Sequence, residues 1–247
     1  MDKRWIITII PVLLISTACL AVPGFGKVVR GSGKLTSETR PISGIDQISV
    51  CCGMQLIFSQ GAAESLELEG EDNLLPEIVT TVSDGRLSIR YKDNEGGTQY
   101  WPTQPIHVRV SAIQIHFLGV SGGGSLEAGQ IDTDRLMIEL SGGSTAALDT
   151  LKAESLNLGS SGGGSVTVAG SVTEQDVSMS GGSDYRAGEL ECERVWIEMS
   201  GGGQATLWVN ESLDANLSGG ARVEYYGRPF ITEELSGGSK LVSLGER

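Results

Sequence analysis

The chain has 247 residues, with 18 Lys and Arg against 31 Asp and Glu, a formal net charge of −13. A phosphate backbone is bound by a positive surface, so this balance argues against a nucleic-acid partner. Hydrophobic residues at 39% supply a core and exclude disorder by composition, while 35 glycines beside only 7 prolines exclude collagen and polyproline linkers.

In chain order, the first segment reads as an address. Asp2-Lys3-Arg4 precedes an apolar run over 5–15 and then Ser16-Thr17-Ala18-Cys19, which is the order of a secretory signal spanning 1–18. Three outcomes are open. Cleavage before Cys19 with lipidation there tethers the protein to a bacterial membrane; Thr-Ala-Cys fits a lipobox, with Ser16 where Leu is usual. Cleavage after Ala18 or Ala21 releases it. Retention makes the segment an anchor, because the apolar run stretched to Val22 reaches the lower limit for spanning a bilayer. All three export the remainder. Residues 19–30 then form a tether and 31–247 a single domain.

Residues 31–120 are irregular. Strand-like runs fall at 47–50, 54–59, 65–69, 77–82, 86–91, 106–110 and 113–118. Asp84-Gly85 between two of them is a hairpin signal. Residues 73–76 suggest a brief helical turn, and the polar stretch 93–105 an exposed loop. His107 and His116 each alternate with apolar neighbours and belong on polar strand faces. Cys51-Cys52 reads as two small residues at a strand end, with a vicinal disulfide as the alternative. Cys192 reads as an unpaired thiol; no C-x-x-C pair suggests zinc. This half is expected to cap whatever follows.

From 121 onward the chain repeats. Ser-Gly-Gly begins at Ser121, Ser141, Ser161, Ser180, Ser200, Ser218 and Ser236, at intervals of 20, 20, 19, 20, 18 and 18 residues. The first glycines are Gly122, Gly142, Gly162, Gly181, Gly201, Gly219 and Gly237. After each serine, apolar residues recur at alternate positions, as in Leu126 and Ala128 or Val166 and Val168. Before the next triplet they recur again, as in Ile138 and Leu140 or Ile197 and Met199. Alternation with period two marks half-buried strands. Each repeat therefore holds two short arms, with Ser-Gly-Gly at one corner and a looser turn at the other.

A solenoid stacks equivalent positions about 4.8 Å apart, so every coil turns at the same place and wants the same corner residues. Glycine supplies the positive φ of a tight corner, and the serines are placed to hydrogen-bond up the stack. An antiparallel hairpin barrel gives no comparable reason for one repeated corner. The repeat thus predicts an all-β parallel solenoid of 18–20 residues per coil over 121–247, with 31–120 as its irregular β-rich cap. The outward position two before each triplet reads Glu139, Gly159, Ser178, Glu198, Asn216 and Glu234. No two glutamates fall on adjacent coils, as like-charge repulsion between neighbouring strands requires.

Gly31-Ser32-Gly33, ETRPISGI at 38–45, LIFSQG at 56–61, LELEGEDNLLP at 66–76, Asp84-Gly85 and the Ser-Gly-Gly ladder together resemble the bacterial auto-transporter adhesin head GIN domain family, a domain of unknown function. The resemblance runs from about residue 31 to the C-terminus. It implies a right-handed, mostly β-helical fold, an export signal often bearing a lipobox, and adhesion as the suggested role. It supplies no catalytic residues. The family's common corner is Ser-Gly-Ser-Gly where this chain mostly has Ser-Gly-Gly, and Cys51-Cys52-Gly53 stands where the family has Ser and Gly.

Chemistry-bearing motifs are sparse. The corners lack the Lys of a phosphate loop and the nine-residue period of calcium-binding repeats, so they read as turns. Catalytic, cofactor and metal residues are assigned to none. Tyr100, Trp101, Trp196, Trp208, Tyr226 and Phe230 are candidates for stacking on glycans or partners. Asn210-Glu211-Ser212 matches a glycosylation acceptor without bacterial meaning. The expected protein is an exported, non-enzymatic cell-envelope module, binding, adhesive or structural, that shows a face to an envelope glycan or a protein and reaches the membrane through an N-terminal lipid or anchor. The alternative is a polysaccharide-active lyase or hydrolase using surface carboxylates such as Asp132, Asp134, Glu189, Glu191 and Glu193. Convergence of three or more acids in a cleft favours the enzyme; dispersal favours binding.

Overall fold

The protein was analysed as a computed structural model that describes residues 27–92 and 97–247. Cys19 and the signal segment lie outside the described residues, as does part of the 93–105 stretch.

The period-two alternation builds long strands that bend at the repeated corners. Successive coils are Ser125–Gly142, Thr145–Gly162, Ser165–Gly181, Asp184–Gly201 and Gln204–Ser218, each paired in parallel with the next. The next coil breaks into Arg222–Tyr226 and Phe230–Leu235, both on Gln204–Ser218, and Lys240–Gly245 starts a further coil on Arg222–Tyr226. Inward residues stack from coil to coil: Ile138, Leu158, Val177, Ile197 and Ala215 form one core column, and Leu126, Ala146, Val166, Tyr185 and Ala205 another. Each buried Leu, Ile or Val of these columns contributes roughly 1.5–3 kcal/mol by leaving water. The outward column Glu139, Gly159, Ser178, Glu198, Asn216, Glu234 also lies in register, as the sequence predicts.

The second corner is less loose than expected. Gln130–Thr133 pairs with Thr150–Ala153, and the ladder continues over 170–172 and 190–192. Ile131, Leu151, Leu190 and Cys192 fill this side of the core, so the coil has a third buried wall rather than a bare turn.

The stack extends into the N-terminal half. Phe117–Val120 pairs in parallel with both Met137–Leu140 and Gln47–Val50, and Gln47–Val50 with Arg86–Ile89. On the other wall His107–Ala112, Gln55–Gln60 and Ser125–Ala128 follow one another in parallel. Antiparallel strands then close the end: Ile78–Ser83 against Arg86–Tyr91, and Leu35–Arg40 against Ser65–Glu71, which in turn covers His107–Ala112. Asp84 and Gly85 turn the predicted hairpin, both with positive φ (51° and 78°) as a type I′ turn requires. A 3-10 turn, Leu75–Glu77, stands beside the anticipated helical turn.

Three sequence expectations need correction. Residues 113–116 are not strand: Ile113 is exposed and only Phe117–Val120 joins the ladder. The stretch read as an exposed loop contains Gln99–Trp101, which pairs in parallel with Val28–Arg30. Cys51 and Cys52 are joined in a vicinal disulfide, while Cys192 is free and buried.

Candidate functional site

The corner residues stand where a common bend requires them. Ser141, Ser161, Ser180, Ser200 and Ser218 pair coil to coil; Ser121 and Ser236 extend the column through Ser121 N to Val50 O and Ser236 N to Leu217 O. Gly122, Gly142, Gly162, Gly181, Gly201, Gly219 and Gly237 all have positive φ. At Gly201 (φ 110°) a Cβ would overlap the Gly181 carbonyl oxygen, so close stacking and the left-handed backbone both demand glycine. The corner hydroxyls that hydrogen-bond most come from the small fourth residue instead. Ser144 Oγ donates to Ser141 O at 2.7 Å, Ser239 Oγ to Ser236 O at 2.8 Å, and the Ser160 and Ser183 hydroxyls meet at 3.1 Å. The first serine's hydroxyl is left largely to face outward.

That outward orientation makes a surface feature that the sequence repeat alone did not disclose. The serine column forms one bank of a shallow groove of about 590 Å³ running along the stack. Its floor is the small-residue column Ser49, Gly119, Gly159 and Ser178, with Glu139 and Glu198 rising from it. Phe117 closes the groove at the cap end. The register row that continues from it, Met137, Asn157, Asp176 and Trp196, lies outside it, and Asn157, Asp176 and Trp196 line a separate groove. Met137 and Trp196 are exposed, whereas the Phe117 ring is buried against Gly119. Arg86 lies over that ring, 4.5 Å from its centroid.

A second groove of about 540 Å³ follows the far corner, where Asp132, Asp134, Glu154, Glu191 and Glu193 line it with Lys152 among them. The carboxylates are therefore not dispersed. All five are exposed; Lys152 pairs with Asp132 at 3.6 Å, and Asn210 Nδ2 donates to Glu191 at 2.9 Å. Glu189 lies elsewhere, held by the Arg247 guanidinium. Among the described residues no three His, Cys, Asp or Glu gather closely enough to hold a metal ion. His107 and His116 sit by Glu69 and Asp46, at 3.9 and 3.5 Å.

Of the aromatic candidates, Trp101 and Phe230 are widely exposed. Tyr100 stacks on Tyr91 with centroids 4.2 Å apart, and Trp208 and Tyr226 are covered by Arg247. None of the six lines the serine groove; Trp196 lines a separate groove with Asn157 and Asp176.

Two buried polar groups have structural duties. Glu71 is fully buried in the cap. Burial alone would raise its carboxyl, but hydrogen bonds from Thr103 Oγ1, Thr103 N and Gly33 N hold it below the ordinary value. In the solenoid core Tyr185 donates to Gln175 Oε1 at 2.8 Å. Nearby, burial pushes the Cys192 thiol up to about 11, the mark of an inert thiol.

No curated protein matches the chain. Several solved structures share its fold, among them the following. A putative adhesin from Bacteroides fragilis is 22% identical with a TM-score of 0.76, covering 88% of this chain and 99% of its own. A putative lipid binding protein from Parabacteroides distasonis is 20% identical with a TM-score of 0.72, covering 88% and 100%. A putative adhesin from Parabacteroides merdae is 18% identical with a TM-score of 0.70, covering 88% and 99%. The sequence pattern of one family matches residues 45–229, from the first core isoleucine through the last complete coil. The chain belongs to that family, described as putative auto-transporter adhesin, head GIN domain.

Proposed function

We propose that this is an exported, non-enzymatic cell-envelope binding module, tethered through Cys19, whose working surface is the serine groove and whose ligand is an extended envelope glycan. The carrying observation is the continuity of that groove: serines, glycines and a few polar side chains repeat in register along the stack. A polymer of hydroxyl-bearing rings matches such a surface. Hydroxyls and backbone edges hydrogen-bond sugars directly or through water. The adhesin descriptions of the family and of the Bacteroides fragilis structure are in keeping with a binding role.

Gly159 provides the test. Its φ is not positive, and a Cβ there makes only ordinary van der Waals contacts, with Glu139 Cγ at 3.8 Å and Ile138 O at 4.0 Å, so Gly159→Tyr fills the groove without straining the coil. The purified protein should bind members of a glycan array without forming product. Gly159→Tyr should weaken that binding at least about tenfold, roughly 1.4 kcal/mol, while keeping the melting temperature. Undiminished binding by the filled groove removes this reading.

The second groove supports the rival reading of a polysaccharide-active enzyme, because five carboxylates line it. Its five acids are exposed and solvated, however, rather than set in a desolvated cleft. Turnover of any array glycan that disappears with Glu191→Gln or Asp134→Asn would establish the enzyme instead.

A further inference from the structure

The groove has a polar end of its own. Arg86 is the one cation among the described residues that line it, on a chain whose net charge is −13. Its guanidinium is fixed from two sides. Nε and Nη2 both donate to Gln47 Oε1, at 3.0 and 2.9 Å, and the plane rests on the Phe117 ring. Phe117 in turn lies over Gly119, where a Cβ would come within 2.8 Å of the ring. Gln47, Phe117 and Arg86 are aligned by strand register, so the support is built by backbone pairing.

The nearby acids do not pair with this group. Asp46, next to Gln47, faces His116 at 3.5 Å. The Glu139 side chain lies over Gly159, one coil further along the stack. No described carboxylate forms an ion pair with Arg86. An amide oxygen is a neutral partner that orients a guanidinium without neutralising it. With Nε and Nη2 committed to Gln47, the free edge is Nη1 together with the second Nη2 proton, one planar fork of the shape that a carboxylate accepts.

We propose that Arg86 anchors a single carboxylate of the bound glycan, a uronic-acid unit seated at the Phe117 end while an uncharged remainder runs along the serines toward Ser200. A polyanion is disfavoured, because Glu139 and Glu198 stand further along the floor and no second cation lines it among the described residues. A phosphate is disfavoured for the same reason: one fork satisfies one carboxylate but leaves a dianion half compensated. This inference rests on the glycan-groove reading and specifies its ligand class.

The test uses matched pairs of neutral oligosaccharides and the same oligosaccharides ending in glucuronate, titrated calorimetrically into the purified protein. The glucuronate member of each binding pair should bind about tenfold more tightly, as one charge-assisted bidentate contact gives, and the preference should shrink with added salt. Arg86→Gln should erase the preference, read as the affinity ratio within each pair so that any general loss of binding or stability cancels. Arg86→Lys should retain part of it. Equal affinities within pairs, or a preference that survives Arg86→Gln, overturn the anchor alone. If no member of any pair binds, the groove reading falls and the anchor falls with it.

Discussion

Cys52 lies on the coil next to Gly122 with almost the same backbone, φ 69° against 71°, and a Cβ on Gly122 would sit 3.1 Å from the Cys52 nitrogen. Cys51-Cys52-Gly53 thus takes the place of a Ser-Gly-Gly corner at the start of the stack. A non-glycine residue in this conformation costs roughly 1–2 kcal/mol; here the covalent link to Cys51 confines it. The double change Cys51→Ser and Cys52→Gly should therefore keep the fold and make its melting temperature indifferent to dithiothreitol. The wild type should lose about 2–4 °C on reduction, the shift expected for ~1 kcal/mol in a domain of this size. Equal responses of the two proteins to reductant would sink the substitution argument.

The corner glycines carry the strongest steric demand. Gly201→Val places a β-branched side chain at φ 110° against the Gly181 carbonyl and should cost more than about 3 kcal/mol or prevent folding. Glu198→Gln, on the exposed floor nearby, should stay within about 0.5 kcal/mol of wild type. Urea melts of the two variants settle the comparison, and matching midpoints would contradict it.

How much of this was legible in the sequence depends on whether a residue's position repeats. The serine and glycine corners, the alternating core of Ile138 or Leu158 and the outward row from Glu139 to Glu234 were readable, because stacking makes identical demands on every coil. Leu35–Arg40 went unread because it is an edge strand with little burial and no alternation. Gln99–Trp101 was hidden in a polar stretch, since its pairing with Val28–Arg30 is set by tertiary contact. The groove was half legible. Its serine bank follows from the repeat, but Arg86 and Gln47 come from the irregular cap, and only the register of three non-consecutive strands brings them beside Phe117. The vicinal disulfide is not legible in the sequence, because two small residues at a strand end fit the same letters.

Glu71 fastens the N-terminal segment. It accepts from Gly33 N at 2.6 Å and from Thr103 N at 2.8 Å, and Gly31 leaves the room that its carboxylate occupies. Its folded pKa is depressed, so its stabilisation is present above the unfolded value near 4.3 and is lost as pH falls through the lower folded value. Glu71→Gln should be less stable than wild type by a constant margin from about pH 8 to 5, narrowing below about pH 4. Hydrogen exchange at residues 28–34 should report the same loss locally. A margin independent of pH down to acid unfolding would show that the carboxylate charge is irrelevant.

The C-terminal end is guarded rather than covered. Phe230–Leu235 is an edge strand exposed throughout. Glu233 occupies the core column, in register with Ala215, between partly exposed Ile231 and Leu235. An inward-pointing charge on an open edge blocks strand addition by another copy. Glu233→Val should raise self-association relative to wild type, seen as concentration-dependent sedimentation. Identical sedimentation of the two proteins over the whole concentration range would show that the edge is protected by something else.

Gln175 interrupts an otherwise apolar column between Leu156 and Val195. Its Oε1 accepts from Tyr185, while its Nε2 is buried without a partner. An unpaired buried donor costs about 1–3 kcal/mol, and the single hydrogen bond recovers only about 1. Removing one partner should therefore hurt more than removing both. Gln175→Leu alone strands the Tyr185 hydroxyl, and Tyr185→Phe alone strands both ends of the glutamine amide. The double variant leaves nothing polar unpaired and should match or exceed wild-type stability. A cycle of four denaturant melts measures this, with an expected coupling of about 1–2 kcal/mol. Strict additivity of the two losses would mean that the pair contributes nothing as a pair, and that Gln175 is retained for a contact other than Tyr185.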